Sequence, residues 1–561
     1  MNIIEPTPTI TEAVAQPAPA PVPERGNKAF GEIALSLSGG GYRAAAFHLG
    51  VLDMLHRLGI MQEVRVLSTV SGGTFTGMAY AVSILERETF EAFYQRVYGF
   101  LKDTHVIKRA LDNLSSGDTT APEQMPSLIR SAAQVYASDE MFGDRRLDQL
   151  LNSSEPSHLT DIIFNAVEFR HGISFRFQTS RSGSGVIGNG ELVVSDEVSR
   201  DIRLADIAAA SSCFPAAFEP LRFPDDFRWP DRRTLEEARQ NLSRTFQTEC
   251  VPLMDGGIFD NQGLDSVVNV YKRTWNSDGK KPDLFIISDT SQRSESLLKF
   301  PPKKRTGWLS LRAINVLAWI LFALALMSSI SLPYYGYKAL PTSPFDLLKW
   351  VLVFAVPFVV SALIAGGLYW LRARVGEALS LAQEKTDIEL WPYLKLLKVP
   401  ELIALVDDRL RSLITLATSV FMKRIRDMGY EDISVYPKYA GKLRFNVLYD
   451  MDNETKYGAE VIRNHLEPSM KLRQLAKDAE KIGTNLWFTD EENLKKLVAC
   501  GQATTCFNIL RFILRKKSNP TDEADRTAKL ADPNSALRGV YDEAFKLWGQ
   551  LNEDPRALLN E

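Results

Sequence analysis

The spacing of apolar residues changes repeatedly along this chain, and each change predicts an element. Ile33 to Ser38 (IALSLS) is a short β-favouring run that ends in Gly39, Gly40 and Gly41. From Ala44 to Leu58 the apolar residues Phe47, Val51, Leu52 and Leu55 recur at helical spacing. Val64 to Val70 predicts a second strand, which runs into Ser71-Gly72-Gly73 and another helical pattern through Ile84. Strand, glycine turn and helix, twice in succession, are the pattern of an α/β fold with parallel strands. Residues 174–179 (SFRFQT) and 283–289 (DLFIISD) predict further strands. Pro400 to Met428 reads as one long amphipathic helix, and residues beyond Lys516 as charged helical decoration.

Two runs break this alternation altogether. Ala313 to Tyr337 and Trp350 to Leu371 carry no formal charge. Each is long enough for a hydrocarbon core, which needs about 20 apolar residues, whereas soluble helices of this length keep a polar face. They predict a transmembrane hairpin with spans at about 313–335 and 350–371, bordered by aromatic residues such as Trp319, Trp350 and Trp370. Pro357 predicts a kink in the second span. Lys303, Lys304, Arg305 and Arg312 precede the hairpin, and Arg372 and Arg374 follow it. The connecting loop offers only Lys338 and Lys349. The excess of positive charge puts both large polar portions on the cytoplasmic side. No charge lies inside either span to mark a transport pathway.

Composition sharpens the picture at a few points. The 561 residues, 45% hydrophobic and 24% charged, are those of a folded chain rather than a disordered or collagenous one. Lys+Arg 66 against Asp+Glu 69 leaves a net charge of −3, so no global field recruits nucleic acid. The four cysteines form no CxxC or Cys/His spacing, which argues against structural zinc and a disulfide framework. The mean hydropathy of −0.13 averages a polar protein with two very apolar spans. Residues 1–28, rich in Pro and Ala, predict a disordered arm, and no signal-peptide pattern opens the chain. The run Lys423-Arg424-Ile425-Arg426 fits either anionic lipid or an ordinary solvated helix face.

Three glycine-rich turns carry candidate chemistry. Ser38-Gly39-Gly40-Gly41-Tyr42-Arg43, between strand and helix, lets backbone N–H groups approach a phosphate or an oxyanion. No GxxxxGK[ST] is present, and Gly39-x-Gly41-x-x-Ala44 meets only the loose form of a dinucleotide fingerprint; a purely structural turn stays open. Thr69-Val70-Ser71-Gly72-Gly73 has the form of a nucleophile elbow, with Thr69 where a glycine usually relieves crowding. Asp255-Gly256-Gly257 ends another apolar run and presents a carboxylate at a strand end. A serine nucleophile needs a base, usually histidine, but none of the six histidines occupies such a turn. His48 reads as a packing residue on the first helix. A dyad of Ser71 and Asp255 fits what is present.

Taken in order, SGGGYRAAAFHLGVL, STVSGGTFTG, LADIAAASSCFPAAFEP (204–220) and DGGIFDNQG resemble the patatin-like phospholipases. The resemblance covers Ile33 to about Ser291 and resumes near Ile482 to Ala503. It implies a three-layer sandwich around the sheet, to which the hairpin and a helical C-terminal part are added. It also implies an oxyanion hole at Gly39, Gly40, Gly41 and Arg43 and a catalytic Ser71–Asp255 dyad, with no metal or cofactor. Arg43 has two candidate roles, fixing the loop or meeting a lipid phosphate. Asn261 matches the asparagine that often follows the Asp-Gly-Gly motif, and Gly263 stands where a proline is frequent. The expected domains are a 1–28 arm, a 29–300 catalytic domain facing the cytoplasm and a 301–375 hairpin. A 376–515 helical segment then returns to the catalytic domain, followed by a 516–561 tail. The implied function is a membrane-anchored acyl hydrolase of phospholipids or lysophospholipids, whose partner is membrane lipid. An inactive membrane adaptor and a lipid acyltransferase using the same serine are the alternatives. Leu85 to Phe100 and Phe223 to Trp229 are candidate interfacial stretches.

Overall fold

The computed structural model describes residues 28–115, 127–151, 157–181, 187–189, 193–215, 217–246, 248–275, 281–293, 399–416, 420–435, 439, 441–453, 465–515 and 520–559, with scattered helical positions between 316 and 367. The Pro-rich arm, Lys28 apart, and almost all of both expected spans lie outside them. The chain divides into two units, Met1–Glu295 with Ala417–Glu561, and Ser296–Leu416.

The first unit is built on a ten-stranded sheet. Its parallel part runs β10 (Leu443–Val447), β9 (Leu284–Asp289), β1 (Ile33–Leu37), β2 (Val64–Val70) and β3 (Asp161–Glu168). Beyond β3 the pairing turns antiparallel, to β4 (Ile173–Ser180) on one path and β8 (Val251–Asp255) on another, with Ala166 opposite Asp255. The two-residue strands β5 (Ile187–Gly188) and β6 (Val193–Val194) continue from β4, and β7 (Leu221–Phe223) pairs with β8. Every residue of β1, β2 and β3 is buried, as expected of strands covered on both faces.

Helices α1 (Gly41–Arg57) and α2 (Gly72–Leu85) follow β1 and β2, as their spacing predicts. Along the chain come α3 (Phe90–Asp103), α4 (Val106–Ser115), α5 (Leu128–Tyr136), α6 (Asp196–Ser199), α7 (Leu204–Ser211) and α8 (Arg232–Phe246). Next are α9 (Gly257–Asp260) and α10 (Leu264–Trp275). Within the stretch read as one amphipathic helix the described residues form α11 (Val399–Thr415), in the second unit, and α12 (Phe421–Val435), in the first, and residues 417–419 between them lie outside the described residues. The C-terminal part contributes α13 (Met470–Glu480), α14 (Glu491–Leu514), α15 (Pro520–Ala531) and α16 (Ala536–Glu553).

Among the described residues, α14 alone is long and apolar enough to cross a membrane, but 89% of its apolar window is buried. It is a core helix that packs along α1. The C-terminal segment is more than decoration: Leu537, Val540, Ala544, Leu547, Trp548 and Leu551 of α16 are buried, and Trp548 stacks on Phe507 at 5.4 Å. Both candidate interfacial stretches also spend their apolar faces inside. Phe93, Val97 and Phe100 are core residues of α3, and Phe223 and Phe227 join Phe175 and Phe177 in an aromatic cluster.

Candidate active site

Because β1 and β2 are adjacent and parallel, with Leu37 opposite Thr69, the turns that leave them stand side by side. The C-terminal ends of parallel strands are where such sheets bind ligands. Ser71 occupies the sharp turn into α2 at φ 51, ψ −119, a region that a non-glycine residue seldom visits. Conformations of this kind cost on the order of 1–3 kcal/mol and persist only where surrounding contacts enforce them. Here those contacts are explicit. The Ser71 N–H donates to Ser211 Oγ at 3.0 Å, and Ser211 donates to the Asn165 carbonyl at 2.6 Å. Thr74 Oγ1 bonds both Ser211 Oγ (2.8 Å) and Thr69 Oγ1 (2.9 Å). Ser211 belongs to the SSC stretch of the 204–220 motif, and through these bonds that stretch holds the elbow.

Thr69 does not open the turn. Its Cγ2 occupies the space vacated by Gly77, where an added Cβ would stand 2.6 Å away. A β-branched residue at the first elbow position is thus matched by a missing side chain one turn inside α2.

Asp255 ends β8 and is delivered to the same place by pairing with β3. Its N–H donates to the Cys213 carbonyl at 2.9 Å, and its Oδ1 accepts from the Gly257 N–H at 2.7 Å. Burial pushes its carboxyl up to about 6. The Gly257 N–H, the neighbouring Ser71 side chain and the positive charge of Arg426 oppose that rise. Asp255 and Ser71 are thus close enough for the serine side chain to act on the carboxyl, and no histidine is among the groups that do. His48 is wholly buried instead, with Nε2 3.0 Å from the Ser38 carbonyl and Nδ1 3.2 Å from Ser288 Oγ. Its burial lowers its pKa to about 4, so it is a neutral packing residue under the β1 turn.

The glycine loop divides its labour. Gly39 donates its N–H to the Asn261 carbonyl at 3.0 Å and packs against Ser71. The N–H groups of Gly40 and Gly41 have no protein acceptor among the described residues. Gly40 has φ 145, open to glycine, and Gly41 lines a small pocket with Ser71. Tyr42, Ala45, Phe75, Tyr136 and Leu486 give this pocket apolar walls. Arg43 points elsewhere: it is buried and donates to the Ile482 carbonyl at 3.0 Å, while Tyr42 N–H donates to the Asn485 carbonyl at 2.8 Å. The 482–488 loop thus clamps the glycine loop from behind. Gly263, in place of a proline, has φ 67, which a proline ring cannot reach. Its carbonyl accepts from Ser68 Oγ at 2.7 Å and ties the turn to β2.

Sequence reasoning missed Asn165, Ser211 and Arg426 as contributors. The first two are hidden among ordinary strand and helix residues, and Arg426 within a basic run. Among the described residues no group of three His, Cys, Asp or Glu side chains gathers as a metal site would require.

Fold and turns together define an α/β protein with a serine turn and a buried carboxyl brought to the same end of the sheet. Residues 35–268 match the family model described as Patatin-like phospholipase, and this stretch is a patatin-like phospholipase domain. No curated protein matches the chain. Among solved structures, one of human GIVD cytosolic phospholipase A2 is similar at TM-score 0.39 and 13% identity, over 92% of this chain and 60% of that one. Another structure of the same enzyme gives 0.30 and 15%, over 46% of this chain and 41% of that one. VipD from Legionella pneumophila gives 0.26 and 11%, over 96% and 95%.

Proposed function

We propose that this protein is a membrane-anchored serine acyl hydrolase that cleaves acyl esters of phospholipids or lysophospholipids through Ser71 and Asp255. The observation that carries this reading is the strained Ser71 elbow, set beside the buried Asp255 carboxyl and next to the Gly40 and Gly41 N–H groups, which have no protein acceptor among the described residues. The phospholipase family match over residues 35–268 supports the lipid class.

In the proposed reaction Asp255 accepts the Ser71 hydroxyl proton as Oγ attacks the ester carbonyl carbon. The N–H groups of Gly40 and Gly41 hold the oxyanion; one such donor is typically worth roughly 10²–10³ in kcat. Collapse of the tetrahedral species breaks the ester C–O bond, and Asp255 returns the proton to the leaving alcohol. Water then attacks the acyl-enzyme with Asp255 again as base, releasing a fatty acid and restoring Ser71. Arg43 fixes the loop through the Ile482 carbonyl and does not meet lipid phosphate.

Anchoring is supported by the two uncharged runs. The described positions within them are helical and outward-facing despite being apolar, with Trp319 65% and Leu363 70% exposed. An anchor holds the enzyme next to a substrate that lives in the bilayer and so raises its effective concentration.

Incubating the purified protein with a mixed lipid extract, beside Ser71→Ala and Asp255→Asn, tests the reading. Fatty acid and lysolipid release should be lost in both variants while their melting temperatures stay near or above that of the wild type. Equal release by Ser71→Ala would refute the dyad. Acyl transfer to an added alcohol, in preference to water, would identify an acyltransferase.

A further inference from the structure

Arg426 lies on α12, far along the chain from the family-matched domain, in a basic run that reads as a solvated face. The structure turns its side chain inward, to 14% exposure. There it meets the turn after Asp255: with its side-chain oxygen facing the guanidinium, Asn261 accepts from Nε and Nη2 at 2.7 and 2.6 Å. The same Nε is 3.6 Å from Asp289 Oδ1, at the end of β9. Asp289 is fully buried and also accepts from the Tyr430 hydroxyl at 2.6 Å, one helical turn beyond Arg426. The Arg426 carbonyl accepts from Gln262 Nε2 at 3.2 Å, so both backbone and side chain of this residue grip residues 261–262.

These contacts lead to the site in one step. Asn261, gripped by the fork, uses its own carbonyl to hold the Gly39 N–H, and Gly39 packs on Ser71. We infer that Arg426 is a positioning residue for the Ser71–Asp255 pair, fastening the Asn261 turn and the glycine loop to the end of β9. A lysine offers a charge there but no planar fork, and glutamine offers neither. The inference rests on the hydrolase reading and adds to it a residue from the segment after the second unit.

The test uses the full chain with Arg426→Gln and Arg426→Lys, reading kcat, the pH–rate profile, the fluorophosphonate labelling rate of Ser71 and amide exchange in peptides covering 37–45 and 256–263. The titratable or charged groups acting on or beside Asp255 are Ser71, Tyr136 from α5, Cys213 after α7, and Arg426. Removing the positive charge should therefore move the acidic limb to higher pH. Arg426→Gln should lower kcat and labelling at least tenfold, raise the acidic limb and speed exchange in both peptides. Arg426→Lys should restore the limb without restoring the rate. Arg426→Gln within twofold of wild type in rate and limb overturns the inference. So does equal loss of helicity and melting temperature in both variants, which would mark a merely structural residue. If wild type neither hydrolyses lipid nor labels, the hydrolase reading falls separately. Exchange then decides: faster in Arg426→Gln upholds the fastening role, and unchanged exchange overturns it.

Discussion

At the residue scale, the proposed hydrolysis turns on one carboxyl whose protonation burial has shifted. Asp255 must be ionised to accept the Ser71 proton, and burial moves its pKa to about 6. Activity should therefore rise with pH through an apparent pKa near 6 in kcat/KM, the profile that reports groups of the free enzyme. A limb near 4 would mean that Asp255 is not the base. Stability has the opposite sign: a raised carboxyl pKa stabilises the fold below the unfolded value and loses that contribution as pH rises through 6. Each unit is about 1.4 kcal/mol, so the loss between pH 4 and pH 7 is on the order of 2–3 kcal/mol. Asp255→Asn removes it, and the gap between its melting temperature and that of the wild type should move in the variant's favour across this interval. Thr69 gives a second residue-scale outcome. Gly77→Ala sets a methyl against Thr69 Cγ2, an overpacking that typically costs about 1–3 kcal/mol. Thr69→Ser removes that methyl and keeps the hydroxyl bonded to Thr74, so the double variant should recover melting temperature and rate together. Ser71 and Asp255 were legible in the sequence because glycines punctuate the turns that present them. Arg426 was not, because its partner Asn261 is distant in sequence and a basic helical run carries no mark of which arginine turns inward.

At the element scale, the parallel order of β1 and β2 does the placing, and this much follows from strand–turn–helix spacing alone. What spacing does not supply is the partner of each buried helix face. α1 reads as amphipathic, yet residues from Gly41 to Leu55 are buried throughout, because α14 covers the side that solvent would otherwise wet. The two helices approach through glycines: a Cβ at Gly501 would meet the Phe47 carbonyl, and one at Gly50 the Val498 carbonyl. Gly501→Ala gains helix propensity of about 1 kcal/mol. It also drives a methyl into backbone that cannot rotate away, and separating two packed helices costs more than that gain. Net destabilisation is the expected result, with a lowered denaturant midpoint and weaker clamping by the 482–488 loop at the end of the same helix. A stability gain in Gly501→Ala would show that α1 and α14 sit farther apart. The same pairing explains why apolar length alone misleads here. α14 passes a hydropathy test for a span, and its apolar surface is consumed by α1, α13 and α16.

At the scale of the whole molecule, the question is where the apolar surface of the chain goes. In the first unit it goes into the core, including that of α14 and of both stretches expected at an interface. The runs at 313–335 and 350–371 differ, because no charged position interrupts them and their described apolar side chains point outward. Apolar surface of that extent is stable in contact with lipid or with protein, not with water. If it meets lipid, the full chain should stay with the membrane pellet in alkaline carbonate, and the flanking arginines and lysines should keep the 338–349 loop on the far side. Cysteine chemistry can read that side, since Cys213, Cys500 and Cys506 are buried and Cys250 alone is partly accessible. In a Cys250→Ser background, Thr342→Cys should react with an impermeant maleimide applied to intact cells. Reaction only after permeabilisation would place the loop on the same side as the first unit and reverse the topology. Release into the carbonate supernatant would remove the anchor altogether, leaving the proposed hydrolase to reach lipid by another surface.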